Sequence, residues 1–268
     1  MRLKPGVSVE LAENTLTRAR LEWQNAYSNQ TWDQYHRAVS GTQRQLSQCF
    51  AEPDLGAGLY DGHYWQLATR AKSSPVFHGA LLRELQQQIE ALEHAAEELG
   101  RLRSYVERPG TPIVYDTNML VHWRPPGEVK WTEVLRDEGV RTKEVRLVVP
   151  LVVIDELDRH KSGAGQLGDR ATKAIRYLER TLAGGPGQPV TVRDGVTLEV
   201  RLDALGHRRG DPDMEIMLCA AELDQLKPQA DTRVLSDDFG MHLRAQGLNL
   251  QAMRLPPGYR KGGPAADG

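Results

Sequence analysis

The chain has 268 residues, 40% of them hydrophobic and 26% charged, with a formal net charge of -2. That length holds one large domain or two modest ones, and the composition is that of an ordinary globular protein. The near-balanced charge excludes an overall basic field, so any polyanion would have to be met by a local patch.

Two cysteines, Cys49 and Cys219, stand far apart and form no CxxC pair. This argues against a disulfide framework or a zinc knuckle and predicts a reducing compartment. The start, Met1-Arg2-Leu3-Lys4-Pro5-Gly6, lacks the apolar core of a signal peptide. The longest apolar run, Leu147 to Ile154, contains Pro150 and is too short to span a bilayer. The expectation is a cytoplasmic protein with no membrane segment.

Residues 1–110 read as an all-α domain. Ser8 can cap a first helix whose apolar positions include Leu11, Leu16, Ala19 and Trp23. A second helix begins near Thr31, with Trp32, Tyr35, Val39, Leu46 and Phe50 near a helical period. Pro53 to Gly58 breaks the pattern, and Tyr60, Tyr64, Leu67 and Ala68 mark a shorter helix. From Ala80, the residues Leu82, Leu85, Ile89, Leu92, Ala96 and Leu99 alternate three and four apart. Such a heptad pattern serves packing inside one bundle or a homodimer seam through 80–103. The aromatics Trp23, Tyr27, Trp32, Tyr35, Tyr60, Tyr64 and Trp65 have the spacing of core residues. Stacking on RNA bases is the functional alternative. Pro109-Gly110 and Pro112 punctuate the chain, giving domains at 1–110 and 111–256 and a flexible Gly/Pro-rich tail at 257–268.

The next stretch, Ile113-Val114-Tyr115-Asp116-Thr117-Asn118-Met119-Leu120, is a buried strand that stops at an acid. Asp-Thr-Asn is ordinary turn and cap chemistry, yet the ends of parallel strands are also where ligands collect. A helix near Val129 to Glu138 follows, and then Arg146-Leu147-Val148-Val149 predicts a strand entering a helix whose first residue is Pro150. Lys161 to Gly168 reads as a glycine-rich loop and Asp169 as the start of another helix. Thr191 to Val200 alternates around Asp194-Gly195, a strong hairpin signal. Asp211-Pro212-Asp213 opens a helix, Thr232 to Ser236 is a short strand ending in Asp237-Asp238, and a helix and a last strand near Leu248 to Met253 complete the pattern. Strands alternating with helices imply an α/β sheet of mostly parallel strands with helices on both faces.

Asp116 and Asp237/Asp238 follow strands directly; Glu156 and Asp211 or Asp213 lie in early turns of helices. In a doubly wound sheet all can converge at one edge, outside the carboxyl ends of the strands. Convergent carboxylates repel, and a divalent cation with oxygen ligands and retained waters relieves that repulsion. Held there, Mg²⁺ or Mn²⁺ can activate water and stabilise the departing oxygen of a phosphodiester. Taken singly, each acid is equally a helix cap or a favourable partner for the helix dipole.

These segments resemble the PIN-domain nucleases. Val114-Tyr115-Asp116-Thr117-Asn118-Met119-Leu120 is similar to the family's opening acid-Thr/Ser-Asn strand end. Val149-Pro150-Leu151-Val152-Val153-Ile154-Asp155-Glu156-Leu157-Asp158 matches its P-x-x-V-x-x-E-L segment, Asp213-Met214-Glu215-Ile216-Met217 its D-x-x-I-L helix start, and Val234-Leu235-Ser236-Asp237-Asp238 its V-x-T/S-x-D strand end. The resemblance covers about 112–255 and implies a three-layer α/β/α domain that cleaves single-stranded RNA with Mg²⁺ or Mn²⁺. It puts the metal on Asp116, Glu156, Asp213 and Asp238, with Asp211 and Asp237 as accessory acids and Thr117, Asn118 and Ser236 orienting them. Arg170, Lys173, Arg208 and Arg209 are candidates to hold the RNA backbone, although solvated helix faces explain them as well. Pro212, just before Asp213, and the Thr191–Val200 hairpin depart from the family's commonest pattern. Two alternatives stay open: a toxin-type ribonuclease of a toxin–antitoxin pair, and a non-catalytic scaffold. The scattered histidines offer no zinc-ligand spacing, and no P-loop or GxGxxG stands at a strand–helix junction.

Overall fold

The computed structural model describes residues 3–4, 6–51, 62–70, 72–163, 165–185, 187–203 and 207–262. The chain forms two compact units, Met1–Glu107 and Arg108–Gly268. The regular elements of the described part of the first are helices: α1 (Val9–Asn29), α2 (Trp32–Cys49), α3 (Gly62–Thr69) and α4 (Pro75–Glu107), with a single antiparallel bridge between Leu3 and Phe50. The Ser8 hydroxyl accepts the Leu11 N–H at 3.1 Å and Thr31 accepts that of Gln34 at 3.3 Å, so both helices start at the caps the sequence predicts. The buried stripe of α1 runs through Ala12, Thr15, Leu16, Ala19, Trp23 and Ala26. Leu11, assigned to that stripe from its spacing, lies off it and is exposed.

Both α2 and α4 pack on α1. The face of α4 turned into this core carries Phe77, Leu81, Leu85, Leu92, Ala95 and Leu99. Three of the heptad leucines are thus spent inside the unit, whereas Leu82, Ile89 and Ala96 are only half-buried. Trp23 and Tyr35 are core residues, meeting edge to face at 5.7 Å, and the Trp23 indole N–H donates to Thr42 Oγ1 at 3.1 Å. Tyr27 and Trp65 are exposed instead. Pro53 to Gly58 and Tyr60 lie outside the described residues.

In the second unit the order is β1 (Thr111–Tyr115), α5 (Thr117–His122), α6 (Trp131–Asp137), β2 (Val145–Pro150), α7 (Leu151–Lys161), α8 (Gln166–Thr181), β3 (Val190–Arg193), β4 (Val196–Arg201), α9 (Pro212–Leu226), β5 (Arg233–Leu235), α10 (Phe239–Gly247) and β6 (Gln251–Met253). These strands form one sheet in the order β3-β4-β2-β1-β5-β6, parallel except for β3 against β4. Every residue of β1 and β2 is buried, as a central strand covered by helices on both faces must be. The Thr191–Val200 hairpin turns at Gly195, whose φ of +66° suits glycine, and through β4 it extends the main sheet beside β2.

Three local expectations are corrected. Pro150 ends β2 and caps α7, so the first helical residue is Leu151. Helix α8 starts at Gln166, three residues earlier than Asp169, because Gly165 takes φ +90° and turns the chain there. The segment from Pro257, expected to fray, is tied down as far as it is described. Arg260 bridges Trp123, the Lys261 N–H donates to His122 O at 2.9 Å, and Lys261 Nζ donates to Leu120 O and Val121 O. Among the described residues no helix is long and apolar enough to cross a membrane. Cys49 and Cys219 are buried free thiols, and burial pushes the Cys219 thiol up to about 12, far from reactive.

One polar group sits where the sheet is driest. Glu199 on β4 is fully buried, and Arg146 on β2 donates to its Oε1 from Nε at 3.0 Å and from a terminal nitrogen at 2.7 Å. Arg108 pairs with the other carboxylate oxygen. Removing the carboxylate strands a buried guanidinium. Glu199→Ala is therefore expected to lower the unfolding free energy by about 3–5 kcal/mol, read as a drop in the urea midpoint.

Candidate metal centre

The strand order sets β1 between β2, which follows it in the chain, and β5, which is reached only after a long excursion. The crevice outside the carboxyl ends of β1 and β5 is therefore the switch point of the sheet, where such folds place their ligands. Asp116 leaves β1 there, and Ser236-Asp237-Asp238 leave β5 beside it. Helix α7 starts from the end of the neighbouring β2, and α9 starts after β4, at the same edge.

Asp116 is 4% exposed and both its carboxylate oxygens are engaged. Oδ1 accepts the Asn118 N–H at 3.4 Å, capping α5, and Oδ2 accepts the Ser236 hydroxyl at 2.6 Å. Ser236 Oγ in turn accepts the Asp238 N–H at 3.1 Å, so one buried hydroxyl joins the ends of β1 and β5. Thr117 Oγ1 donates to Glu156 Oε2 at 2.6 Å, joining α5 to α7. Thr117 and Ser236 thus bond directly to candidate ligands. Asn118 contributes only its backbone N–H to these bonds, and its side chain is exposed. Asp238 caps α10, accepting the Gly240 N–H at 2.7 Å. Asp211 caps α9, accepting the Met214 N–H at 3.2 Å, and Pro212 occupies the first helical position, where a missing N–H costs nothing. That resolves the departure at Pro212. Asp213 follows in the first turn, with its Oδ2 2.8 Å from Arg244 of α10.

The acids feel one another. Burial raises the Asp116 carboxyl above its ordinary range; the Ser236 and Asn118 hydrogen bonds oppose this, and the charges of Asp213 and Glu156 add to it. Burial also raises Asp213; Arg244 opposes, and Asp211, Asp238 and Glu156 push it further up. Asp237 stands instead 3.9 Å from Arg254. Among the described residues no three acid, histidine or cysteine side chains already stand at ligand spacing for an ion. The donor set fits a hydrated hard cation, which keeps several waters and takes only one or two carboxylates directly. Asp116 and Glu156, each steadied by a hydroxyl, and Asp213 and Asp238, at helix starts, are the groups that would hold it.

The four cations assigned to RNA from sequence separate. Arg209 is paired with Asp155 and Asp203. Arg208 is exposed, and Arg170 and Lys173 lie on α8. Arg244 and His242, whose Nε2 is 2.8 Å from Ser236 O, belong to the site and carry no sequence signal. Both depend on α10 folding back over the end of β5.

The raised Asp116 carboxyl makes a pH prediction. Because its folded value lies above the unfolded one, its stabilising effect is present at acid pH and lost as pH rises through the folded value. In metal-free protein Asp116→Asn is expected to melt higher than wild type at neutral pH, by a few degrees, with the gap closing toward acid. Thermal melts across a pH series in chelator check it; a lower melting point for the variant at neutral pH would refute it.

The family model for the PIN domain matches residues 113–255, more than half of the chain. Among solved structures, a domain of a functionally unknown protein from Methanocaldococcus jannaschii DSM 2661 is similar at 15% identity, covering 55% of this chain and 92% of that one with a TM-score of 0.34. No curated protein matches. The chain belongs to the PIN domain family, whose members are generally nucleases that use divalent metals.

Proposed function

We propose that the protein is an endoribonuclease that hydrolyses phosphodiester bonds of single-stranded RNA with Mg²⁺ or Mn²⁺ held by Asp116, Glu156, Asp213 and Asp238. The observation that carries this reading is the gathering of those acids at the switch point of the sheet, two of them fixed by hydroxyl groups from neighbouring elements. Isolated helix caps have no need to converge. When bound, the ion supplies charge neutralisation at the phosphate and activation of the attacking water.

The chain's own residues do the rest. Ser236 and Thr117 fix the orientation of Asp116 and Glu156, so little reorganisation is needed when a ligand arrives. Arg244 offsets the charge of Asp213 while the acids stand together. Asp211, beside Asp213, adds its charge to the cluster. Both cysteines are buried free thiols, which supports a cytoplasmic setting.

The test is cleavage of a labelled single-stranded RNA. Activity is expected to vanish in chelator and return with Mg²⁺ or Mn²⁺. Asp116→Asn should lower it by roughly 10²–10³-fold, the loss of several kcal/mol of charge stabilisation. Ser236→Ala and Thr117→Val are expected to cost roughly 10–100-fold. Undiminished cleavage by Asp116→Asn would overturn the assignment.

A further inference from the structure

Helix α5 is six residues long, about 9 Å from end to end. Its amino end carries Asp116 and the acids. Its carboxyl end carries the opposite charge. Lys261 reaches that end from the last described segment, its ammonium donating to Leu120 O at 2.9 Å and Val121 O at 3.1 Å. The ring of His122 lies beside the Arg170 guanidinium, Nδ1 at 3.1 Å. Arg260, bridged to Trp123, holds its guanidinium 6.0 Å from the Trp123 ring. Helix α8 packs against α5 and brings Arg170 there, with the exposed Lys173 beyond it. Lys173, Arg176 and Arg180 then line one shallow depression farther along α8, with Glu179.

These cations are crowded. Lys261 is pushed down by burial and then by Arg170 and Lys173, with Glu128 opposing. His122 is pushed down by burial and then by Arg170, Arg260 and Lys261, with Asp237 opposing. The acids at the other end of α5 call for a cation; by the same reasoning this cluster calls for an anion, and a helix so short brings an anion held here close to a cation held there.

We infer that Arg170, Lys173 and Arg260, gathered at the carboxyl end of α5 around Lys261, form a phosphate subsite that holds the backbone of a single-stranded nucleic acid beside the acidic edge. The identity of the strand rests on the nuclease reading; the anion site rests on the cations alone. Arg170 and Lys173 project from a surface helix, so neutralising them leaves the core intact. Lys261 has a different task, closing α5, and is not the residue to test first.

The experiment measures binding by fluorescence anisotropy of a labelled oligouridylate and the matching oligothymidylate to the full chain in chelator, over a KCl titration. Each phosphate neutralised adds about 0.7 to the slope of log affinity against log salt for a single strand. Arg170→Gln/Lys173→Gln is expected to flatten that slope by about 1.4 and to weaken binding on the order of tenfold. Both strands should be affected alike, because phosphate rather than base is held. Arg141→Gln/Lys143→Gln, which removes two cations before β2 at the opposite edge, should leave the slope as in wild type. Slope and affinity unchanged in Arg170→Gln/Lys173→Gln, or flattened equally in the control pair, would overturn the subsite. Cleavage by wild type in Mn²⁺ is scored separately: its absence with the slope change present would sink the nuclease reading and leave the subsite standing.

Discussion

The Ser236–Asp116 hydrogen bond is the contact on which the second unit's chemistry depends. It is 2.6 Å long and buried, and it spans the ends of β1 and β5 at the one place where the sheet changes direction. A carboxylate taken this far from water is costly unless its lone pairs are met. Ser236 meets one oxygen and the Asn118 N–H the other, while the same hydroxyl also receives the Asp238 N–H. The bond therefore sets the separation of two acids that would otherwise move apart. Thr117 does the same for Glu156 from the next residue of α5.

Parallel topology explains why the charges meet at all. Every parallel strand ends at the same edge, so acids far apart in sequence arrive together without any local signal linking them. Neutral donors and one cation, Arg244, hold the cluster together. Arg209 sits on its flank with Asp155 and Asp203. Such ion pairs at partly exposed positions add little to stability, but they lower the net charge that the folded edge has to tolerate.

What was legible in the sequence was local. An apolar run stopping at Asp116, a cap-like Asp211-Pro212-Asp213 and an Asp-Gly hairpin each carry their signal within a few residues, and each sits in the structure as an element end. The rest was tertiary. Nothing near Arg244 shows that it reaches Asp213 on another helix, and nothing near Lys261 shows that it closes α5. Nothing near Arg209, in the loop before α9, shows that it pairs with Asp155 on α7. Leu11 falls off the buried stripe for a related reason: several stripes fit a helical period, and only the position of the neighbouring helix selects one.

The composition concealed the arrangement most completely at α5. A net charge of -2 excludes a global field, yet that whole-chain balance conceals an acidic cluster and a basic one set at opposite ends of one short helix. Each cluster also suits the helix dipole, with a carboxylate at the amino end and an ammonium at the carboxyl end. The capping and site interpretations of Asp116 are consequently not rivals. The oxygen that caps α5 and the oxygen that binds Ser236 belong to one carboxylate, and capping is what holds that carboxylate still. A group fixed in this way by backbone and hydroxyl donors is already oriented before any cation or phosphate arrives, as a binding site requires.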